Sequence, residues 1–184
     1  TAVWKVINQL KEEGYVIDSV QNKGYRITEY PDIITASEIE SLLLDDSGNM
    51  QGICRHIQYF DKTDSTNNQA KLAAEKNAPD GTLFVAECQT GGRGRRGKTW
   101  ESPAGSGIWM SLLLRPDISP ESASMLTLVL AVAMVDAINE EVQDAKCYVK
   151  WPNDIVLNNR KISGTLTEMS AEMDYIHYVV IGMG

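Results

Sequence analysis

Four short segments of this chain hold residue types that do chemistry, and the densest is Gln89-Thr90-Gly91-Gly92-Arg93-Gly94-Arg95-Arg96-Gly97-Lys98-Thr99-Trp100. Four cations and four glycines fall within these twelve residues, and no acid interrupts them. Glycines let a backbone turn sharply and bring its N–H groups close to a ligand. Arginine adds planar, multidentate donors that match the oxygens of phosphate and carboxylate. The whole chain carries a net charge of −8. A cationic loop in an acidic protein reads as a local site for one anionic group, a phosphate or a carboxylate. A solvated basic loop and a nuclear-localisation or RNA-binding tract are the other readings of this segment alone. Its single aromatic, Trp100, offers no stacking platform for successive bases.

The other three segments are Asp64-Ser65-Thr66-Asn67-Asn68, Lys150-Trp151-Pro152-Asn153-Asp154 and Arg160-Lys161-Ile162-Ser163-Gly164. The first precedes a helical pattern, where hydroxyls and amides bind small polar groups and the helix N-terminus favours an anion; simple helix capping is its other reading. The second places a cation, an indole and two amide or carboxylate groups around a proline, which suits a nucleotide site or a rigid turn. The third sets a lysine ahead of a small-residue pair, so that backbone can approach a ligand closely; a solvated hairpin accounts for it equally.

These segments need a scaffold. Residues 2–13 read as a helix with Val3, Trp4, Ile7 and Leu10 on one face, closed by Gly14. Strands over 15–20 and 25–28 flank the hairpin turn Gln21-Asn22-Lys23-Gly24. Helix followed by hairpin is the latter half of a winged helix-turn-helix, or a generic αββ fragment. Lys5, Lys11, Lys23 and Arg26 are balanced by Glu12, Glu13, Asp18 and Glu29, a weak electrostatic footprint for DNA. Residues 31–52 read as a linker with a short helix opened by the capping box Thr35-Ala36-Ser37-Glu38. From 53 to 184 strands are expected over 57–60, 82–88, 108–114, 148–151, 155–157, 162–168 and 175–182. Helices are expected over 66–76 (Ser65 at the N-cap) and 119–141 (Pro120 in the first turn). Short turns between strands predict an α+β fold with a mixed, largely antiparallel sheet and flanking helices.

Composition narrows the function classes. The hydrophobic share of 43% and charged share of 23% are those of an ordinary globular protein. Cys54, Cys88 and Cys147 form no CxxC pair, so a zinc site or disulfide framework is not expected, and a reducing cytoplasm fits. His56 and His177 are isolated and read as strand residues. No stretch reads as long and apolar enough to span a bilayer, residues 125–135 being the longest candidate, and no signal peptide opens the chain. Both ends read as cut.

Taken in order, the four segments resemble the biotin protein ligases, specifically the bifunctional kind that also represses a biotin operon. Asp64-Ser65-Thr66-Asn67 is similar to the family's DSTN segment. The basic loop is similar to its biotinyl-adenylate loop, Lys150 to Asp154 to its KWPND, and Lys161-Ile162-Ser163-Gly164-Thr165-Leu166-Thr167-Glu168 to its K-I-small-G-apolar-L-x-E. Thr165 stands where an aliphatic is usual and Lys98 where arginine is frequent. Thr1-Ala2-Val3-Trp4-Lys5 resembles the family's DNA-recognition helix.

The resemblance implies a partial winged helix-turn-helix over 1–30 and a class II synthetase-like catalytic domain from 53. It implies activation of biotin by ATP to biotinyl-5′-AMP, then transfer to a lysine of a biotin carboxyl carrier protein. Arg93, Arg95 and Lys161 would be catalytic, offsetting the repulsion of two anions. Ser65, Thr66, Asn67, Gln89 and Gly94 would join them in binding biotin, Gly94 by letting the loop backbone donate to the ligand. Arg95, Arg96, Trp100, Lys150 and Asn153 would face ATP or the adenylate, with Trp100 over the adenine, and Asp154 would help hold Mg²⁺. Operator DNA and a homodimer formed with biotinyl-AMP are the further partners, with no membrane. A lipoate or octanoate ligase, and a biotinyl-AMP sensor without ligase activity, are the alternatives.

Overall fold

The structure, a computed structural model, describes all residues except Thr1, Asn22, Ile33, Asp46, Asn49 and 143–145. Asn22 of the hairpin turn and Thr1 of the recognition-helix resemblance therefore lie outside the described residues. The chain divides into two compact units, residues 1–33 and 34–184.

The small unit is helix α1 (Ala2–Glu12) followed by an antiparallel hairpin of β1 (Val16–Val20) and β2 (Gly24–Glu29). Gly14, at φ +99°, ends α1 in a Schellman arrangement: Tyr15 N–H donates to Leu10 O and Gly14 N–H to Lys11 O. Of the apolar stripe expected on α1, only Ile7 is buried; Val3 and Trp4 are 61% and 59% exposed. A hairpin is too narrow to cover more than one turn of the helix face.

The larger unit opens with α2 (Ala36–Leu43), capped by the Thr35 side chain accepting from Glu38 N–H. Its Ile39 packs on the main core. Then follow β3 (His56–Phe60), α3 (Thr66–Glu75), β4 (Thr82–Ala86), β5 (Trp109–Leu114), α4 (Ala123–Glu141), β6 (Cys147–Lys150), β7 (Asp154–Leu157), β8 (Arg160–Ala171) and β9 (Ile176–Met183). The seven strands form one sheet in the order β3-β4-β5-β9-β8-β7-β6. Only β3 and β4, which α3 connects, run parallel; the other named pairs are antiparallel. This is the α+β, largely antiparallel arrangement that the strand spacing predicts.

Side chains alternate across the sheet. Leu83, Val85, Leu112, Val179 and Ile181 point to the face covered by Leu126, Leu130 and Met134 of α4. Phe84, Leu113 and Val180 point to the face covered by α3, where Ala70 and Ala74 let the helix sit close. Both faces are covered, which is why β4 reads as an unbroken apolar run. Arg115 ties the end of α3 to the sheet: its guanidinium donates to the carbonyls of Ala74, Ala78 and His177.

One expectation fails. Residues Pro120–Glu141, a short 3₁₀ turn leading into α4, form a helix of 22 residues long and apolar enough to cross a bilayer by length and composition. The apolar run extends on both sides of 125–135 because Ala123 precedes it among serines and Ala137 and Ile138 follow it across a single acid, Asp136. Its inner side packs on the sheet, while Met125, Val129 and Val132 are exposed.

Candidate functional site

The four segments converge on one cleft at the end of the sheet. Its floor is the start of α3. Ser65, Thr66 and Asn67 are 3%, 3% and 5% exposed, because this helix end is driven against β5 and β9. Ser65 holds the N-cap position, but its hydroxyl makes no capping bond and lines the cleft. The register of the sheet makes room for Asn67. Ser111 on β5 sits opposite Gly182 on β9, and Gly182 opposite Leu166 on β8. A Cβ on Gly182 would collide with Asn67 Oδ1, so no larger residue fits there without displacing the amide.

Every polar group of Asn67 is engaged by protein. Its Oδ1 accepts from Ser111 Oγ at 2.5 Å, and its Nδ2 donates to Glu168 Oε2 at 2.8 Å and to Leu166 O at 3.4 Å. Lys71 Nζ, 2.6 Å from Glu168 Oε1, completes the cluster. Burial alone would raise the Glu168 pKa. Hydrogen bonds from Lys71 and Asn67, with the charges of Lys71 and Arg93, outweigh it and hold the carboxyl below its ordinary value. Asp64 behaves alike. Burial again pushes upward, but donors at Asn68, Gln69, Ser65 and Thr63 converge on this one carboxylate at the helix start and lower it to about 2.

Gln89 is engaged as well. Its Oε1 accepts from Thr66 N–H at 2.8 Å and faces Thr66 Oγ1 at 3.1 Å, and its Nε2 donates to Ser102 Oγ. It ties the root of the basic loop to the floor, helped by Gly91 N–H donating to Asp64 O. A Cβ on Gly92 would collide with Trp100 O, so glycine is required where the loop doubles back. The Gly94 N–H donates to Lys98 O at 2.7 Å rather than facing the cleft freely; the loop closes on itself as a narrow turn.

The rim carries the charge. Arg95 Nη1 donates to Asn153 Oδ1 at 3.0 Å, and Asn153 is itself pinned by its Nδ2 to Thr165 O. Lys161 Nζ lies 2.6 Å from Asp154 Oδ1 and 4.7 Å from the centre of the Trp100 ring. Gly164 leaves space for it, since a Cβ there would be 2.9 Å from Nζ. Asn158 and Asn159, both at positive φ, form the tight β7–β8 turn that returns Lys161 to the cleft.

Ser65, Thr66, Asn67, Gln89, Arg93, Gly94, Arg95, Trp100, Asn153 and Lys161 thus line one cleft. Arg96, Lys150 and Asp154 do not line it. Arg96, at φ +59°, is exposed on the outside of the loop, and Lys150 is exposed at the end of the edge strand β6. Asp154 reaches the cleft only through Lys161. The cleft is narrow, about 50 Å³. A second, mainly apolar cavity of about 560 Å³ adjoins it behind Arg95 and Asn153, between the start of α4 and β8. Its exposed indole is Trp151, whereas Trp100 lies under Lys161 on the other side. Trp151, Ser111, Lys71, Glu168 and Gly182 gain a role only in three dimensions. Trp151 and Glu168 stand in motifs that the sequence singles out, but Ser111, Lys71 and Gly182 lie in ordinary helix or strand sequence and give no local signal.

A mixed sheet with a polar floor, a glycine-rich cationic rim and an adjoining apolar cavity is the architecture of a protein that holds a small anionic ligand beside a larger one. Residues 59–184 match the biotin/lipoate A/B protein ligase family, and the chain belongs to it. The chain is 46% identical over 184 residues to the bifunctional ligase/repressor BirA of Bacillus subtilis (strain 168), covering 100% of this chain and 55% of that protein. It is 37% identical over 124 residues to the biotin–[acetyl-CoA-carboxylase] ligase of Paracoccus denitrificans, covering 67% of this chain and 51% of that protein. Among solved structures, the biotin protein ligase from Aquifex aeolicus in complex with biotin and ATP superposes with a TM-score of 0.59 at 34% identity, covering 70% of this chain and 50% of that one. The chain spans about half the length of the curated relatives it matches.

Proposed function

We propose that this chain carries the biotin- and ATP-binding part of a biotin protein ligase. A biotin carboxylate oxygen attacks the α-phosphorus of ATP, the bond to the β-phosphate oxygen breaks, and pyrophosphate leaves. A lysine amine of a biotin carboxyl carrier protein then attacks the carbonyl carbon of biotinyl-5′-AMP. AMP departs and the amine loses a proton to solvent. The observation that supports this most is the convergence of Thr66, Arg93, Arg95 and Lys161, from three separate segments, on one cleft beside a second cavity.

The assignments follow from that geometry. Ser65 and Thr66 offer hydroxyls to the head of biotin. Arg93, Arg95 and Lys161 surround the place where carboxylate and α-phosphate meet, and cations there stabilise the charge that builds up during attack. The larger cavity takes the nucleotide, with the exposed Trp151 as its aromatic wall. Asn67, Gln89 and Gly94 act from behind, because their polar groups already have protein partners. The cleft is too narrow for a bicyclic ligand, so the Arg95–Asn153 contact must yield as biotin enters.

Mg²⁺ is a common partner of ATP, held through one or two carboxylates and the phosphates. Asp154 is bonded to Lys161, and no group of three or more His, Cys, Asp or Glu residues is placed to hold a metal among the described residues. No step is assigned to a metal.

The test is transfer of labelled biotin or lipoate to an acceptor carrier domain in the presence of ATP. Biotin transfer without lipoate transfer is expected; the reverse contradicts the proposal. A repressor role has support of its own, from the helix and hairpin of residues 2–29 and from the Bacillus subtilis relative, which is named a ligase/repressor. In this reading biotinyl-AMP favours a homodimer that places two winged helices on palindromic operator DNA. A mobility shift of operator DNA that needs both biotin and ATP is expected. A shift independent of both contradicts it.

A further inference from the structure

We propose that Glu168, clamped by Lys71, is a positioning residue that fixes the direction of the hydrogen bonds running through Asn67 and Ser111 to Thr66. A carboxylate only accepts, so the Asn67 atom 2.8 Å from Glu168 Oε2 is the amide nitrogen. The other amide atom, toward Ser111, is then the carbonyl oxygen, which also only accepts. Ser111 must give it its one hydroxyl proton, across 2.5 Å. Ser111 Oγ also lies 2.7 Å from Thr66 Oγ1. With the serine proton committed to Asn67, Ser111 can only accept in that contact. Thr66 then faces two acceptors inside the protein, Ser111 Oγ and, at 3.1 Å, Gln89 Oε1. Its single hydroxyl proton goes to one of them.

Thr66 therefore donates inward, and its lone pairs face the cleft. The polarity set at Glu168, three residues back through the network, keeps Ser111 from donating to Thr66, so both Thr66 lone pairs stay free to accept a ligand N–H. Ser111 is fully buried and Gly182 leaves no slack beside Asn67, so the Asn67–Ser111 link is locked away from solvent. Lys71 pairs with Glu168, and its carboxylate, with the Leu166 carbonyl 3.4 Å from the same nitrogen, opposes the reverse polarity. Charged partners make such bonds the strong ones in the network.

The network itself stands without any ligand; that its output recognises an N–H of biotin's ureido ring rests on the ligase reading. Two measurements separate them. In the wild-type chain, NMR of the Asn67 side-chain amide is expected to show Nδ2 protons that shift as Glu168 titrates at acid pH. Asn67 protons indifferent to that titration overturn the polarity assignment, whether or not biotin binds. Biotin titrated calorimetrically into Glu168→Gln, whose amide accepts either polarity, is expected to bind about tenfold more weakly than wild type. In turnover the loss should fall on the KM for biotin, with kcat within about twofold. Ser111→Ala, which removes the relay without touching the carboxylate, is expected to do the same. Two folded variants that bind biotin within about twofold of wild type overturn the proposal. No biotin binding by wild type would count against the ligase reading and leave the NMR result to decide the network.

Discussion

The floor and the rim of the cleft are built on opposite principles. On the floor, Thr66, Asn67 and Ser111 are almost fully buried and their polar atoms are paired within the protein. On the rim, Arg93, Arg95 and Lys161 are exposed, and the Arg95–Asn153 bond and the Lys161–Asp154 pair are among its contacts to neighbouring elements. A buried polar group without a partner costs about 1–3 kcal/mol, so the floor can exist only if its geometry is fixed in advance. An exposed cation has no such requirement and can wait for its ligand. The floor is suited to recognition and the rim to charge and closure.

That contrast predicts where substitutions act. The largest effect belongs to the rim cations. Lys161→Ala is expected to lower biotin-dependent pyrophosphate release by about 10²–10³-fold, whereas Arg95→Ala is expected to go on forming the adenylate and lose it to solution; both should keep a thermal midpoint close to wild type because the groups are exposed. A large loss of stability in either would erase the distinction between rim and floor.

Next comes Gly182→Val, which strikes the floor. Its side chain meets Asn67 at a distance no Cβ tolerates, and overpacking costs about 1–3 kcal/mol. A lower thermal midpoint and biotin binding weakened by about tenfold or more should appear together in calorimetry. Normal biotin affinity in this variant would show that Asn67 does not shape the ligand's seat.

Asp154→Asn sharpens the rim. It removes the partner that holds Lys161 over Trp100, and a fall in adenylation rate of about tenfold is expected, smaller than that of Lys161→Ala. Equal losses would mean that Asp154 does more than orient the lysine.

The smallest effect is a pH dependence. Asp64 is depressed to about 2 in the folded chain, below an unfolded value of about 3.9. A depressed carboxyl stabilises the fold above its unfolded pKa, and that contribution is lost as pH falls through the folded value. Acid unfolding curves of wild type and Asp64→Asn should therefore converge below about pH 2 and part above about pH 4. The group is exposed, so the separation is small.

Much of this is legible locally. Glycine and arginine announce the loop, Pro120 and the Thr35 box announce helix starts, and alternation announces the strands. The four motif segments converge because each ends or begins an element that the sheet aligns. What stays hidden is non-local. Ser111 sits in a strand that reads as ordinary, Glu168 closes a motif that gives it no partner, and only the pairing of β5, β9 and β8 brings them to Asn67. Donors and acceptors on Asn67, Gln89 and Gly94 are visible in the sequence, but the protein partners that hold them at the cleft are not. Lys150 and Arg96 share motifs with cleft residues yet fall outside the cleft, because a residue's neighbour in a strand or tight turn points elsewhere. The exposed face of α1 likewise depends on what a single hairpin can cover.

The central claim is that this cleft joins biotin to the α-phosphate of ATP and that the cationic rim retains the product. Wild type and Arg95→Gly are incubated with biotin and α-labelled ATP, then separated from small molecules by rapid gel filtration. The account predicts labelled biotinyl-5′-AMP that co-elutes with wild type and escapes into solution from Arg95→Gly. No biotin-dependent labelled adenylate from wild type would contradict it.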